Sequence, residues 1–143
     1  MKLKQISVFL ENKKGHLLEV LNVLSKAKIN IRALSIADTS DFGILRLILP
    51  DPDKAAKILS QNKITVKETE VIAVGVSDKP GGLAEALQAL NSANLNLEYM
   101  YAFVAKSKEK AVVVFRTENI NAGIKALKKA GIPMLKAEEI YRI

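Results

Sequence analysis

Two stretches decide how this chain folds: Glu11-Asn12-Lys13-Lys14-Gly15-His16-Leu17 and, 66 residues further on, Ser77-Asp78-Lys79-Pro80-Gly81-Gly82-Leu83. The same offset carries Ile29-Asn30-Ile31 onto Leu95-Asn96-Leu97. Beyond that, Asp51 to Leu59 match Asn119 to Leu127 at an offset of 68, so the second copy has gained two residues in between. The gain falls at Ala105-Lys106-Ser107-Lys108-Glu109-Lys110, a charged hairpin tip where insertion is tolerated. A repeat of this period makes the chain two small copies of one unit, residues 1–69 and 70–143.

Each copy reads strand, helix, strand, strand, helix, strand. Ile6, Val8 and Leu10 alternate with neighbours of the other face, as do Ile72, Val74 and Val76, which predicts the first strands. Leu17, Leu21 and Leu24 recur at helical spacing after Gly15, and Leu83, Leu87 and Leu90 do so after Gly81. Residues 29–37 and 43–49 then form a strand pair, repeated by 95–105 and 111–117. Asp51-Pro52 is a helix start, a capping carboxylate before a proline whose missing N–H has no partner to lose. Closing strands are expected at 64–69 and 134–141. The order βαββαβ is the ferredoxin-like split unit, an α+β fold with antiparallel strands and both helices on one face. A copy this small buries a modest core, and only Lys67-Glu68-Thr69-Glu70 separates the two, so they are expected to pack together rather than hang on a tether.

Composition narrows the function. Apolar residues make 49% of the chain and charged ones 26%, a globular balance, and no apolar run reaches the length of a membrane span. The N-terminal segment has neither the apolar core nor the cleavage site of a signal peptide, which leads us to expect a cytoplasmic protein. The net charge of +7 is spread evenly, +4 on residues 1–70 and +3 on 71–143, as on a solvated surface. RNA-recognition modules share this strand order but stack bases on aromatic residues of their central strands. Here Ile44-Leu45-Arg46-Leu47-Ile48-Leu49 has none and Val112-Val113-Val114-Phe115-Arg116 has one, which argues against nucleic acid. With no Cys and one His, the sequence offers no nucleophile paired with a base, no metal-ligand spacing and no phosphate loop. No catalytic residue, metal or cofactor is therefore expected.

The turn between first strand and first helix is the candidate site. Its glycine lets backbone and ligand approach closely, and the following helix presents N–H groups to a carboxylate. Asn12 adds a donor and an acceptor, and Asp78 adds acceptors for an ammonium group, a set that suits a zwitterionic amino acid. The same residues also read as helix caps and turn formers with no ligand at all. Asn30 and Asn96 read equally as turn residues after a helix, and His16 as an exposed residue of a first helical turn. Tyr99 and Tyr101 share one face of their strand.

An Asn or Asp, a basic residue and a Gly followed by Leu at a strand-to-helix turn, with Asn-Ile or Asn-Leu opening the next strand, resembles the ACT domain, over the whole chain and twice. The resemblance implies a non-catalytic regulatory module that binds an amino acid or related small effector at the seam between paired modules. It points to Glu11, Asn12, Lys13, Lys14, Gly15 and Asn30 in the first copy, and the candidate ligand-binding set there adds the adjoining His16 and Leu17. In the second it points to Asp78, Gly81 and Asn96, and the candidate set adds the adjoining Ser77, Lys79, Pro80, Gly82 and Leu83. The serine-binding version of the family carries a His where Leu10 and Val76 stand here, and a Pro where Lys14 stands, which leaves the effector's identity open. Such modules are commonly fused to the enzyme they regulate; these residues hold none, so either regulation of an enzyme in trans or a role as a sensor or carrier is expected. Uncovered edge strands point to a homodimer.

Overall fold

The computed structural model describes residues 2–11, 13–38, 42–103 and 110–142. Among these it has six strands and five helices, in the order β1 (Lys2–Glu11), α1 (His16–Lys26), β2 (Ala33–Asp38), β3 (Phe42–Ile48), α2 (Pro52–Gln61), β4 (Val66–Ser77), α3 (Gly82–Ser92), β5 (Leu97–Ala102), β6 (Lys110–Thr117), α4 (Ile120–Lys129) and α5 (Ala137–Tyr141). The chain divides into two compact units, Lys4–Thr69 and Glu70–Ile143, the second including the N-terminal residues up to Leu3.

In the first unit β3 lies between β1 and β2, antiparallel to both. Its register sets Leu47 opposite Ile6 and Leu34, and Leu45 opposite Val8 and Ile36. With a side-chain period of two, this puts Ile6, Val8, Leu10, Leu45 and Leu47 on one face. Val20 and Leu24 of α1 and Ala55 and Leu59 of α2 pack on that face in one buried cluster. The second unit repeats the plan: β6 lies between β4 and β5, and Ile72, Val74, Val113 and Phe115 meet Ala86, Leu90 and Leu127. Fully burying side chains of this size contributes roughly 1.5–3 kcal/mol each, which makes these apolar stripes the main source of each unit's stability.

Helix ends follow local chemistry. Asp51 Oδ1 accepts from the Lys54 N–H at 3.2 Å and Asn119 Oδ1 from the Ala122 N–H at 3.1 Å, so both second helices start on a side-chain cap. Four helices close with a left-handed residue just past the end: Lys28, Lys63, Asn94 and Gly131, at φ 59, 61, 56 and 71°. In each case the next N–H reaches back to a carbonyl of the last turn, as Ile29 to Leu24 and Ile64 to Leu59, both at 3.0 Å.

Three expectations are corrected. The closing strand of the first copy and the opening strand of the second are one strand, β4, because Val66 to Val71 contains no Gly or Pro to break it. Residues 67–70, which join the two copies, are thus strand throughout. The expected strand at 134–141 reduces to a single bridge between Met134 and Val74, flanked by bonds from Gly75 N to Pro133 O and from Leu135 N to Ala73 O, both at 2.9 Å. From Ala137 the chain turns into α5, whose start is held by the Glu139 carboxylate accepting from the Lys136 N–H at 3.4 Å. Acidic residues in that first turn suit a helix start rather than a strand. The second strands are also shorter than read, since β2 and β5 begin at Ala33 and Leu97, after the helix-closing turns have run out. The tip of the hairpin carrying the two-residue gain, 104–109, lies outside the described residues.

Candidate functional site

The two strand-to-helix turns share one backbone design. Lys13 donates to the Glu11 carbonyl at 2.8 Å and Lys79 to the Ser77 carbonyl at 2.9 Å. His16 and Gly82 then donate to Lys13 and Lys79. Gly15 and Gly81 both sit at φ 86°, which an L side chain rarely adopts, and each serves as its helix's N-cap without a side-chain cap bond. Asn12 lies outside the described residues. Lys13, Lys14, Ser77, Asp78, Lys79 and Pro80 are exposed, while Leu17 and Leu83 turn inward against the two cores.

His16 is not simply exposed. It is half-buried, and its Nδ1 accepts the Glu11 backbone N–H at 2.9 Å. That bond requires an unprotonated Nδ1, so in the neutral ring the proton sits on Nε2, where it is a donor. In the second copy the same place is Gly82, buried against the Ser77 carbonyl so closely that a Cβ would collide with it. Here the copies diverge: one turn carries an imidazole, the other a backbone contact that admits no side chain.

Asn30 and Asn96 are not brought to these turns within their own units. Each follows the far end of an 11-residue helix, about 16 Å from the turn at its start. Asn30 Oδ1 accepts from the adjacent Ile31 N–H at 2.9 Å, a local turn contact. The left-handed turn residues are Lys28 and Asn94, two positions earlier.

What the first turn does line is a cleft of about 310 Å³, with walls from Phe9, Leu10, Glu11, His16, Phe42, Lys63, Ile64 and Thr65. This lies at the low end of the roughly 300–1,000 Å³ typical of small-molecule sites. Phe42 stands opposite Glu11 in the β1–β3 register, and its ring meets that of Phe9 edge-on, centroids 6.4 Å apart at 63°. Lys63 enters from the turn closing α2, where its left-handed backbone places it beside Ile64. Glu11 carries a loose ion pair to Lys13 at 3.8 Å. Phe9, Phe42 and Lys63 did not announce themselves in the sequence, because three separate elements deliver them. A larger trough, about 800 Å³, runs between α3 and α4 of the second unit, with Ala84, Ala89 and Ala126 among its walls. Its counterpart between α1 and α2 is about 390 Å³, since Leu18 and Lys26 stand where α3 has Ala84 and Ser92. Both troughs run along helix flanks, with Glu85, Gln88, Ser92 and Lys129 among the walls of the larger and Glu19, Asn22, Lys26 and Asn62 among those of the smaller. The first-turn cleft, with an acid, an imidazole and an amine around apolar walls, has the makings of a ligand site.

On β5 the half-buried Tyr99 and Tyr101 stack, their ring centroids 6.5 Å apart at 17°. No helix among the described residues is long and apolar enough to cross a membrane.

A family model described as ACT domain pair matches residues 1–141. The chain is similar in structure to a protein of Bacteroides thetaiotaomicron, with a TM-score of 0.93 and 43% identity, covering 100% of this chain and 98% of that one. It also resembles the regulatory subunit of aspartate kinase from Thermus thermophilus, with a TM-score of 0.61 and 18% identity over 89% of this chain and 91% of that one. Aspartate kinase from Clostridium acetobutylicum gives a TM-score of 0.55 at 18% identity, and there the match covers 90% of this chain but 33% of the kinase. At those identities the kinase likenesses show the fold. No curated protein matches the chain.

Proposed function

Because the chain belongs to the ACT family as a tandem pair of domains, we propose that it is a regulatory protein that binds an amino acid or related small acid at the first strand-to-helix turn. The two modules are residues 1–69 and 70–143, and neither carries out chemistry. The observation that carries this reading is the first-turn cleft, where Glu11, His16 and Lys63 surround a volume suited to one small molecule. A zwitterion uses all three: the Nε2–H of His16 and the Lys63 ammonium suit a carboxylate, and the Glu11 carboxylate suits an ammonium group. The N-terminus of α1 adds its first-turn N–H groups and the positive end of the helix dipole.

Regulation then requires the effector to favour one state of the protein over another. Pairing of two chains, with Asn30 or Asn96 brought to a turn by a partner, provides such a state, and an enzyme bound in trans in the cytoplasm reads it. Thermal denaturation against the twenty amino acids and their keto acids tests the proposal. A ligand that binds only the folded form stabilises it by about 2.7 kcal/mol at a hundredfold excess over Kd. A selective rise that His16→Ala abolishes is the expected result; no rise with any compound refutes the effector reading.

A further inference from the structure

The two copies preserve the same turn, the same glycine conformation and the same pattern of turn hydrogen bonds, yet the residues around those turns differ in one consistent way. Phe9 corresponds to Gly75, and Phe42, the register partner of Glu11, corresponds to Lys110, the register partner of Ser77. Lys63 corresponds to Gly131, Thr65 to Pro133 and His16 to Gly82. Every side chain that gives the first cleft its aromatic wall or its polar rim is replaced in the second copy by glycine or by a residue of different chemistry. The space is not left open there. A Cβ placed on Gly75 would lie 3.4 Å from Lys110 Cδ, 3.5 Å from Leu135 Cδ1 and 3.8 Å from Pro133 Cγ, so the lysine stem and the C-terminal segment cover the spot that Phe9 occupies in the first copy.

The first cleft, by contrast, spends a large apolar ring on its rim. Phe42 is 43% exposed, although it could bury more surface facing inward. Its edge-on contact with half-buried Phe9 leaves ring surface turned to the cleft, and edge-to-face or offset contacts with a third apolar group are the geometry such rings favour. Beside this wall stand the polar partners for a ligand's head: Lys63, the Nε2–H of His16 and Glu11.

We infer that this cleft selects an α-amino acid with an aromatic or large aliphatic side chain, that one such molecule binds per chain, and that the second module carries no equivalent site. The inference rests on the effector reading above and specifies its ligand class. The side chain lies against Phe9 and Phe42, the carboxylate faces Lys63 and His16, and the ammonium faces Glu11. Small polar amino acids forgo the apolar contact and bind more weakly, because Phe9 and Phe42 offer them no hydrogen bond.

Calorimetric titration of the full chain with L-phenylalanine, L-leucine and L-serine tests this. Phenylalanine or leucine should bind at one per chain, at least about tenfold tighter than serine. Phe42→Ala should weaken that binding by about tenfold or more, Phe42→Tyr should retain it, and Lys110→Ala, at the equivalent place in the second copy, should leave it within about twofold. If Phe42→Ala does not fold, Lys63→Gly serves instead: it keeps the left-handed turn while removing the ammonium, and should weaken binding of the carboxylate. Serine binding as tightly as phenylalanine, two molecules per chain, or indifference to both Phe42→Ala and Lys63→Gly would overturn the inference while leaving an effector protein. Binding of none of the twenty amino acids would remove both readings.

Discussion

The backbone N–H of Glu11 is held by the imidazole of His16, at 2.9 Å from its Nδ1. The bond spans the turn from the last residue of β1 to the first of α1 and fixes the tautomer of the protein's one histidine. Nitrogen chemical shifts should show Nδ1 unprotonated and Nε2 carrying the proton in the neutral ring. Removing the acceptor by His16→Ala should cost about 1 kcal/mol in denaturant unfolding, the worth of an ordinary hydrogen bond. A protonated Nδ1 in the neutral ring would contradict this arrangement.

Glycine is needed for different reasons at neighbouring positions. At Gly15 and Gly81 a Cβ meets nothing within 4 Å, so alanine there suffers only the left-handed backbone, roughly 1–2 kcal/mol. At Gly82 a Cβ would collide with the Ser77 carbonyl, so either the helix start or the strand end must move. Chemical denaturation should rank Gly82→Ala well below Gly81→Ala in stability. Equal losses would mean that the α3 start yields easily.

An exposed cluster in the first unit responds to pH. Lys4 Nζ lies 2.9 Å from Asp53 Oδ1 and 3.5 Å from Glu68 Oε2. The hydrogen bond from Lys4 holds the Asp53 carboxyl below its usual 3.8, and the bond to Asp53 with its charge lifts Lys4 above 10.5. A lowered carboxyl value contributes stability that is present above the unfolded value and lost as pH falls through the folded one. A raised lysine contributes stability present below 10.5 and lost as pH rises through its folded value. The cluster should thus be intact across the neutral range and weaken at either extreme. Carboxyl titration by NMR in Lys4→Met should return Asp53 towards its ordinary value, and added salt should diminish the difference, since these groups are exposed.

Core positions repeated between the units should respond alike. Leu24 and Leu90 occupy matching places on α1 and α3, at 1% and 2% exposure. Alanine at either should cost about 2–5 kcal/mol in denaturant melts. A loss at only one would show that the two apolar clusters do not carry equal weight.

The framework was legible because it is written twice. The 66-residue offset, the helical leucines and the Asp51 and Asn119 caps each point to one βαββαβ plan. The C-terminal segment was misread because Met134-Leu135 does begin a sheet contact, and only the acidic run that follows turns the chain into α5. The strand expected at 64–69 runs on into the first strand of the second copy because the charged stretch between them has no Gly or Pro to break it. The turn glycines and His16 could be read from the sequence, whereas Phe9, Phe42 and Lys63 could not. Strand register and a left-handed lysine, rather than any local motif, bring those three together. One signal was available: these are positions where two otherwise matching copies disagree.

The central claim, that an effector enters at the first turn, is tested most directly by titrating the isotope-labelled chain with L-phenylalanine and following its backbone amides by NMR. The account expects saturable shifts at Glu11, His16, Phe42 and Lys63, with Ser77, Gly82, Lys110 and Gly131 unmoved. Saturable shifts confined to the second set, or none at all with any amino acid, would contradict it.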